Sequence, residues 1–202
     1  MCNLYRMANS AAEVASLFRA QVVPGANFGA EVYPGYPGLV VAKGKVGAMT
    51  WGFPLAMKSK RTGEPLKPKP VNNARTDKLD SAFWRSSFER RRCLIPVSAF
   101  AEAEGAKGAK TRTWFSMEDQ PVFAVAGLWR PSAEWGQCYS MVMTEASDAI
   151  CGLHDRMPVI LPPEAQTAWL DGTADEARAL CQPYPGALAI ERTETPWAGP
   201  AR

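Results

Sequence analysis

The chain has 202 residues, of which 47% are hydrophobic, and it carries a formal net charge of +3. We expect one domain over residues 1–202 with enough apolar side chains for a sizeable core, which excludes a disordered protein. No apolar run reaches the about 18 residues that a membrane span needs, and no basic-then-apolar signal opens the chain, so a cytoplasmic protein is expected.

The cysteines indicate a reducing compartment. Five of them are scattered along the chain, without a CxxC pair, at Cys2, Cys93, Cys138, Cys151 and Cys181. An odd number at such spacings argues against a disulfide framework or a zinc site. Because the sequence also gives no reason to invoke an organic cofactor, we expect neither a metal nor a cofactor.

Hydrophobic periodicity and turn residues predict many short strands and few helices. In the first half we predict a helix over 10–21, a Pro- and Gly-rich loop over 22–38, a hairpin of LVVAK (39–43) and VGAMTWGF (46–53), a long basic loop over 57–70, and a helix over 76–92. In the second half we predict strands over 93–104, 111–117, 121–129, 138–146 and 158–161, a helix over 163–170, and a last strand over 187–193. This order favours a compact α+β fold built on antiparallel sheet.

Cys2 directly follows the first methionine, in MCNLYRM. Removal of Met1 would leave an α-amine and a thiol two carbons apart on one residue. The α-amine has a pKa of about 7.7–8.0, against about 10.4 for lysine, so at neutral pH far more of it is free to attack an aldehyde. The thiol can then close on the imine carbon to give a thiazolidine. The alternative is an inert, buried cysteine.

The segment VNNARTD (71–77) offers amide donors, an amide acceptor and a guanidinium that could bind a phosphate. The alternative is an ordinary polar turn that caps the next helix. In the strand that follows RRRCLIP, Phe100 and Glu102 share one face because they are two residues apart. A carboxylate on a buried face has a raised pKa, which suits an acid or base, whereas an exposed strand end would give Glu102 no task.

His154 is the only histidine of the chain. It precedes Asp155 and Arg156, and an aspartate could fix its tautomer. A lone histidine is also commonly structural. Any mechanism that needs an imidazole must nevertheless use this one.

Basic side chains are concentrated in two segments of the sequence, with Trp51, Phe53 and Trp84 near them. The first holds Lys58, Lys60, Arg61, Lys67 and Lys69, and the second holds Arg85, Arg90, Arg91 and Arg92. Cations with interleaved aromatic residues suit a nucleic-acid backbone with stacked or unpaired bases. The alternative is a solvated basic face beside core aromatic side chains.

Together these segments resemble the SOS-response-associated peptidase (SRAP) family, the abasic-site processing proteins. The matching pieces are MC at the start, MTWGF, NAR, RRRCLIPVSAFAE and LHDRMPVIL. Each piece is short, but their order and spacing are specific, and they extend from residue 1 to about residue 161. The resemblance implies one α+β domain with a β-rich, largely antiparallel, barrel-like core and flanking helices.

The resemblance also implies an activity and a set of site residues. Met1 is expected to be removed and Cys2 to bond covalently to the aldehyde of an abasic site in single-stranded or junction DNA. Asn73 is expected to position the amine and the sugar, while Glu102 and His154 move protons. The expected DNA contacts are Trp51, Arg75 and Arg85. The same groups could cleave the Met1–Cys2 bond, and the imine stage permits weak lyase activity. We expect a monomer that joins the nucleoid when bound to DNA.

Two departures accompany the resemblance. Many members begin MCGR, whereas Asn3 and Leu4 follow Cys2 here, so an arginine contact at position 4 is missing. Where the family often has GFYEW, this chain has AFAEA over 99–103, which keeps Glu102 and loses the two large aromatic residues. Two other functions remain open: an amidohydrolase with an N-terminal cysteine nucleophile, and a non-covalent DNA-binding module.

Overall fold

The computed structural model describes residues 2–197, and within them strands predominate. The strands of the first half are β1 (Tyr5–Arg6), β2 (Gln21–Val22), β3 (Glu31–Val32), β4 (Pro37–Ala42), β5 (Lys45–Trp51), β6 (Phe53–Lys58), β7 (Pro65–Val71) and β8 (Asn73–Arg75). Those of the second half are β9 (Arg92–Val97), β10 (Ala99–Glu104), β11 (Thr111–Ser116), β12 (Phe123–Ser132), β13 (Gly136–Glu145), β14 (Arg156–Pro158), β15 (Ile160–Leu161) and β16 (Ala189–Pro196). The helices are α1 (Ala11–Leu17), α2 (Arg85–Arg90), α3 (Pro163–Asp171) and α4 (Ala174–Ala179), with a 3-10 turn at Thr76–Lys78.

A five-stranded barrel forms the centre of the molecule. Its strands follow the order β13, β12, β9, β4 and β5, each antiparallel to the next. The parallel pairing of β5 with β13 closes the ring. The short strand β8 also pairs with β13 in parallel, placing Asn73 opposite Met141. The expected α+β class with a barrel-like, largely antiparallel core is therefore confirmed.

A second antiparallel sheet has the strand order β16, β11, β10, β1 and β3. One face of this sheet shares a buried core with the barrel, and there Phe100 stacks on Phe115 with ring centroids 5.2 Å apart. Pairing places Tyr5 opposite Phe100, so the first residues of the chain lie beside β10. This arrangement brings Cys2 close to Glu102, although 100 positions separate them in the sequence.

Local sequence signals account for several elements. Helix α1 begins after Ser10, and Ser10 and Glu13 form a reciprocal capping box, as the predicted helix start requires. The predicted hairpin is confirmed, with β4 and β5 joined at Lys43 and Gly44.

No helix within residues 2–197 combines the length and apolar character needed to cross a membrane.

Two predicted elements are wrong. The basic segment 57–70 is not a loop, because most of it belongs to an antiparallel ribbon of β6 and β7. The helix predicted over 76–92 is reduced to the 3-10 turn and α2. Between Thr76 and Ala82 only Leu79 is buried, so that stretch has too little apolar surface to hold a helix against the core. Helix α4 was not predicted.

Gly52 joins the barrel to the ribbon, which explains the glycine of MTWGF. Its φ of +121° is rarely adopted by residues with a side chain, and an added Cβ would lie 3.0 Å from the Cα of Pro70. The Gly52 N–H donates to the carbonyl of Tyr139 at 2.7 Å. The ribbon therefore leaves the barrel directly beside Trp51 and Asn72.

Candidate active site

Cys2 lies just before β1 and is completely buried. Its backbone carbonyl accepts hydrogen bonds from Asn73 Nδ2 at 2.7 Å and from Asn72 Nδ2 at 3.0 Å. Its thiol donates to the Leu4 carbonyl at 3.4 Å. Burial raises the pKa of the Cys2 thiol far above its ordinary value, and the Glu102 carboxylate raises it further. The thiol is therefore protonated at neutral pH and is a poor first nucleophile without a base.

Asn73 is held on β8 with only 8% of its surface exposed. Its Nδ2 binds Cys2, whereas its Oδ1 makes no hydrogen bond within the described residues 2–197. A buried amide oxygen without a partner is costly unless a ligand or a reacting group completes it. Asn73 thus offers one free acceptor next to Cys2, suited to an amine or a sugar hydroxyl.

Glu102 lies on β10, opposite Thr113 of β11, and is 4% exposed. Burial, which disfavours the charged form, raises the pKa of its carboxyl group to about 7. At neutral pH the group is therefore divided between the acid and the carboxylate. That property suits a residue that must both give and take a proton within one reaction.

His154 lies beside this carboxyl group, with its Nε2 3.8 Å from Glu102 Oε2. Its Nδ1 accepts the backbone N–H of Arg156 at 3.0 Å and lies 3.1 Å from Asp155 Oδ1. A backbone N–H can only donate, whereas the Asp155 side chain is 83% exposed and water can satisfy it. Nδ1 also lies 3.2 Å from the Arg156 carbonyl oxygen, so its neighbours include one donor and two acceptors. A proton on Nε2 would face Glu102, and that tautomer leaves Nδ1 to accept the Arg156 N–H.

We expect His154 to be neutral at pH 7.5, because burial lowers its pKa, and to carry its proton on Nε2, which faces Glu102. As the only histidine of the chain, it gives a single pair of ring-nitrogen signals in a 15N spectrum. Long-range 1H–15N correlation should show an unprotonated Nδ1, with titration only below the ordinary histidine pKa of about 6.5. A neutral ring protonated on Nδ1 would contradict this expectation. Asp155→Asn would then show whether Asp155 or the Arg156 carbonyl oxygen holds that proton, because only the first partner is changed.

The position of Trp51 corrects the expectation that this residue contacts DNA. Its side chain is completely buried, with its ring 5.0 Å from that of Tyr5 and 6.4 Å from that of Tyr139. A buried indole cannot line a DNA groove, and the prediction failed because the local sequence does not reveal which face of β5 is covered. Trp51 Nε1 instead donates to the backbone carbonyl of Asn72 at 3.0 Å.

The two arginines expected to contact DNA are exposed. Arg75 shares β8 with Asn73, and its guanidinium makes two 2.8 Å hydrogen bonds to the carboxylate of Asp77. Arg85 begins α2. Within residues 2–197, no hydrogen bond or ion pair joins Arg75 or Arg85 to Cys2 or Asn73. Their interaction with DNA stays a prediction.

The departures from the family pattern have a local packing explanation. Leu4 is buried with Ala99, Ala101 and Trp114 in a small apolar cluster. The Arg6 guanidinium covers the outer side of this cluster, 3.7 Å from the centre of the Trp114 ring. The space beside the small residues of β10 is thus filled by the side chain of Leu4 and by the indole of Trp114 on the neighbouring strand β11. Glu102 remains buried.

The fold and the site define a barrel protein with a buried cysteine at its second position. Two amides, a carboxyl group with a pKa near neutrality and an imidazole surround that cysteine. The profile of the SOS response associated peptidase (SRAP) family matches residues 1–195, and the chain belongs to this family. Of the residues at this site, the sequence alone pointed to Cys2, Asn73, Glu102 and His154. It did not single out Asn72, and the available signal was its position directly before Asn73.

Curated relatives are similar to this chain at moderate identity. Abasic site processing protein YoqW of Bacillus subtilis is 28% identical over 150 residues, which are 69% of this chain and 65% of that protein. Abasic site processing protein YMR114C of Saccharomyces cerevisiae is 31% identical over 104 residues, which are 49% of this chain and 28% of that protein. The matches therefore span less than two thirds of the length of these relatives.

Solved structures show the same fold. A Bordetella bronchiseptica protein aligns with a TM-score of 0.77 and 25% identity, covering 95% of this chain and 99% of that one. A Bacteroides thetaiotaomicron protein also aligns with a TM-score of 0.77, at 19% identity, covering 95% of this chain and 91% of that one.

Proposed function

We propose that this protein captures abasic sites in single-stranded DNA through a covalent bond to Cys2. After removal of Met1, the α-amine of Cys2 attacks the ring-opened aldehyde, and the thiol then closes the thiazolidine. The observation that carries the proposal is the convergence of Asn73, Glu102 and His154 on a buried residue 2. Membership of the SRAP family, whose relatives are named abasic site processing proteins, supports it.

The chemistry requires two proton transfers that this site can supply. The amine adds to the aldehyde carbon to give a carbinolamine, which loses its hydroxyl as water once Glu102 donates a proton. The imine carbon then accepts the Cys2 sulfur while the thiol proton passes to the imine nitrogen, directly or through the Glu102 carboxylate. One water leaves overall and nothing is oxidised or reduced. His154 can relay a proton from water: its Nδ1 takes up a proton, and the resulting imidazolium returns one from Nε2 to the Glu102 carboxylate, whose Oε2 is 3.8 Å away.

The high thiol pKa indicates the order of these steps. A thiol that stays protonated leaves the free amine as the stronger nucleophile toward the aldehyde. The free Oδ1 of Asn73 can accept a proton of that amine or of the sugar. Ring closure by sulfur then follows imine formation, and it removes an adduct that water would otherwise hydrolyse.

The basic ribbon favours DNA as the substrate over a small amide. Five cations of β6, β7 and their turn are exposed, namely Lys58, Lys60, Arg61, Lys67 and Lys69. The base of the ribbon pairs Phe53 with Val71, immediately beside Asn72. A flexible, polyanionic strand reaching Cys2 would therefore pass close to these cations, and Arg75 and Arg85 would add phosphate contacts.

Two side activities follow from the same chemistry. The imine stage acidifies the neighbouring sugar carbon, so slow β-elimination and strand cleavage are expected as a minor reaction. The groups around Cys2 could also cleave the Met1–Cys2 bond, and a methionine aminopeptidase could do the same because cysteine is small. Mass spectrometry of the protein synthesised in a cell-free system lacking aminopeptidases would distinguish the two routes.

The direct test uses a single-stranded oligonucleotide with one abasic site. Protein shown by mass spectrometry to lack Met1 is incubated with it and run on a denaturing gel without added reductant. We expect a heat-stable shifted band, and none with a tetrahydrofuran analogue that cannot form an aldehyde. Absence of the band would refute covalent capture. Equal native-gel binding of both oligonucleotides would then favour a DNA-binding module, and turnover of small amides without DNA would favour an amidohydrolase.

A further inference from the structure

A second amide holds the Cys2 carbonyl besides that of Asn73. Asn72 Nδ2 donates to this oxygen at 3.0 Å, and to Asn3 Oδ1 also at 3.0 Å. A carbonyl oxygen has two lone pairs, and here both neighbouring asparagines supply a donor. One hydrogen bond leaves a carbonyl free to pivot about its acceptor atom, whereas two donors from different directions fix the plane of the peptide.

Asn72 is itself fixed from the barrel. Its backbone carbonyl accepts the indole N–H of Trp51 at 3.0 Å and the N–H of Met141 at 2.9 Å. Trp51 is fully buried and lies against the rings of Tyr5 and Tyr139. The backbone of Asn72 is therefore fixed by contacts with the barrel, and from there its Nδ2 reaches the Cys2 carbonyl.

We propose that Asn72 is a positioning residue for the reactive terminus, forming with Asn73 a two-amide clamp on the Cys2 carbonyl. This inference rests on the proposed function of Cys2. Removal of Met1 makes Cys2 a chain end, and chain ends fray unless they are tied down. The clamp fixes the direction of the amine and the thiol, which supplies part of the advantage of a pre-oriented reaction. Both donors act on the Cys2–Asn3 peptide, so they hold the terminus without polarising the Met1–Cys2 bond.

Asn72→Ala tests the clamp, with Asn3→Ala as the matched control. The first variant removes the donor to Cys2, and the second removes only the lateral contact of Asn72 with Asn3 Oδ1. With abasic DNA, we expect Asn72→Ala to lower the maximal crosslinking rate by about tenfold, a modest part of the range that orientation can supply. The DNA concentration that gives half the maximal rate should stay within about twofold of wild type, because Asn72→Ala leaves the exposed cations of the ribbon unchanged. Asn3→Ala should match wild type in both parameters, because it also leaves these cations unchanged and keeps the donor from Asn72 to Cys2.

A variant that had lost its folded structure would not lower the maximal crosslinking rate while keeping the same half-maximal DNA concentration. A maximal rate of Asn72→Ala within about twofold of wild type would overturn the proposal while leaving covalent capture intact. If wild-type protein gave no crosslink, the proposed function would fail by itself, and the clamp would still be measurable without DNA. The backbone order parameter of Asn3 should then fall from about 0.85 in wild type to below about 0.6 in Asn72→Ala, and an unchanged value would refute the clamp.

Discussion

Replacement of Cys2 by serine is expected to abolish the heat-stable crosslink and to retain an adduct that a reductant can trap. Cys2→Ser keeps the α-amine after Met1 removal, so the imine can still form. A serine hydroxyl is a weaker nucleophile than sulfur and does not seal the imine carbon effectively. Denaturing gels with and without sodium borohydride should therefore give a band for this variant only when borohydride is present.

Cys151→Ser is the matched control, because Cys151 is an exposed cysteine. That variant should crosslink like wild type, with and without borohydride. A heat-stable band in Cys2→Ser without reductant would show that the thiol is dispensable, and it would leave the imine as the final product. Complete loss of the band even with borohydride would instead indicate that the thiol is required before the amine reacts, contrary to the order given above.

The second large effect is expected for Glu102→Gln, which keeps the shape of the side chain and removes its acid. We expect the maximal crosslinking rate to fall by about 10²–10³-fold, within the usual range for a general acid–base residue. The pKa of Glu102 near 7 also predicts a pH dependence. The wild-type rate should rise toward neutrality as the amine loses its proton and fall at higher pH as Glu102 loses its own. The variant should lack this alkaline decline.

Glu104→Gln is the control on the same strand. Glu104 accepts hydrogen bonds from Thr113 and Arg192, which lower the pKa of its carboxyl group, and it is only partly buried. This variant should retain the wild-type rate and pH profile. An alkaline decline that persists in Glu102→Gln would assign the titration to another group, and His154→Gln would be the next variant to examine.

The same carboxyl group should affect stability, with a definite sign. Its folded-state pKa of about 7 lies above the ordinary value of 4.5, so the folded state binds more protons between these limits. The free energy of unfolding of wild type should therefore fall as pH rises from about 4.5 to 7, by on the order of 3 kcal/mol from this group. In Glu102→Gln that contribution should be absent when urea unfolding is compared at pH 5 and pH 8.

Several features were predictable because they depend on neighbouring residues. The Ser10–Glu13 capping box lies within one helical turn, and the Lys43–Gly44 turn joins two strands that pair with each other. The chemistry proposed for Cys2 likewise follows from its place in the sequence, since removal of Met1 would leave a free amine and a thiol on one residue. The alternation of side chains along the strand predicted that Glu102 and Phe100 share one face, but it did not predict whether that face is buried.

Other features depend on partners far away in the chain. The ribbon of β6 and β7 was taken for a loop because its Lys- and Pro-rich strands have weak strand propensity and gain stability from each other. Trp51 was assigned to a DNA surface because its neighbours are basic, whereas Tyr5 and Tyr139 cover it from two other strands. Which strands pair, and which side chains they cover, depends on residues far apart in the chain and cannot be read from one short segment.

The sequence by itself determined which chemical groups this protein has: a cysteine at the second position, one imidazole, and an acid two residues beyond Phe100 in a predicted strand. The tertiary structure alone decided their environment. Pairing of β1 with β10 brings Cys2 to Glu102, and pairing of β8 with β13 carries Asn73 to the same place. The desolvation that raises the pKa of Glu102 and the second amide on the Cys2 carbonyl arise only where these strands meet, because burial and hydrogen-bond geometry depend on the folded neighbours of a residue.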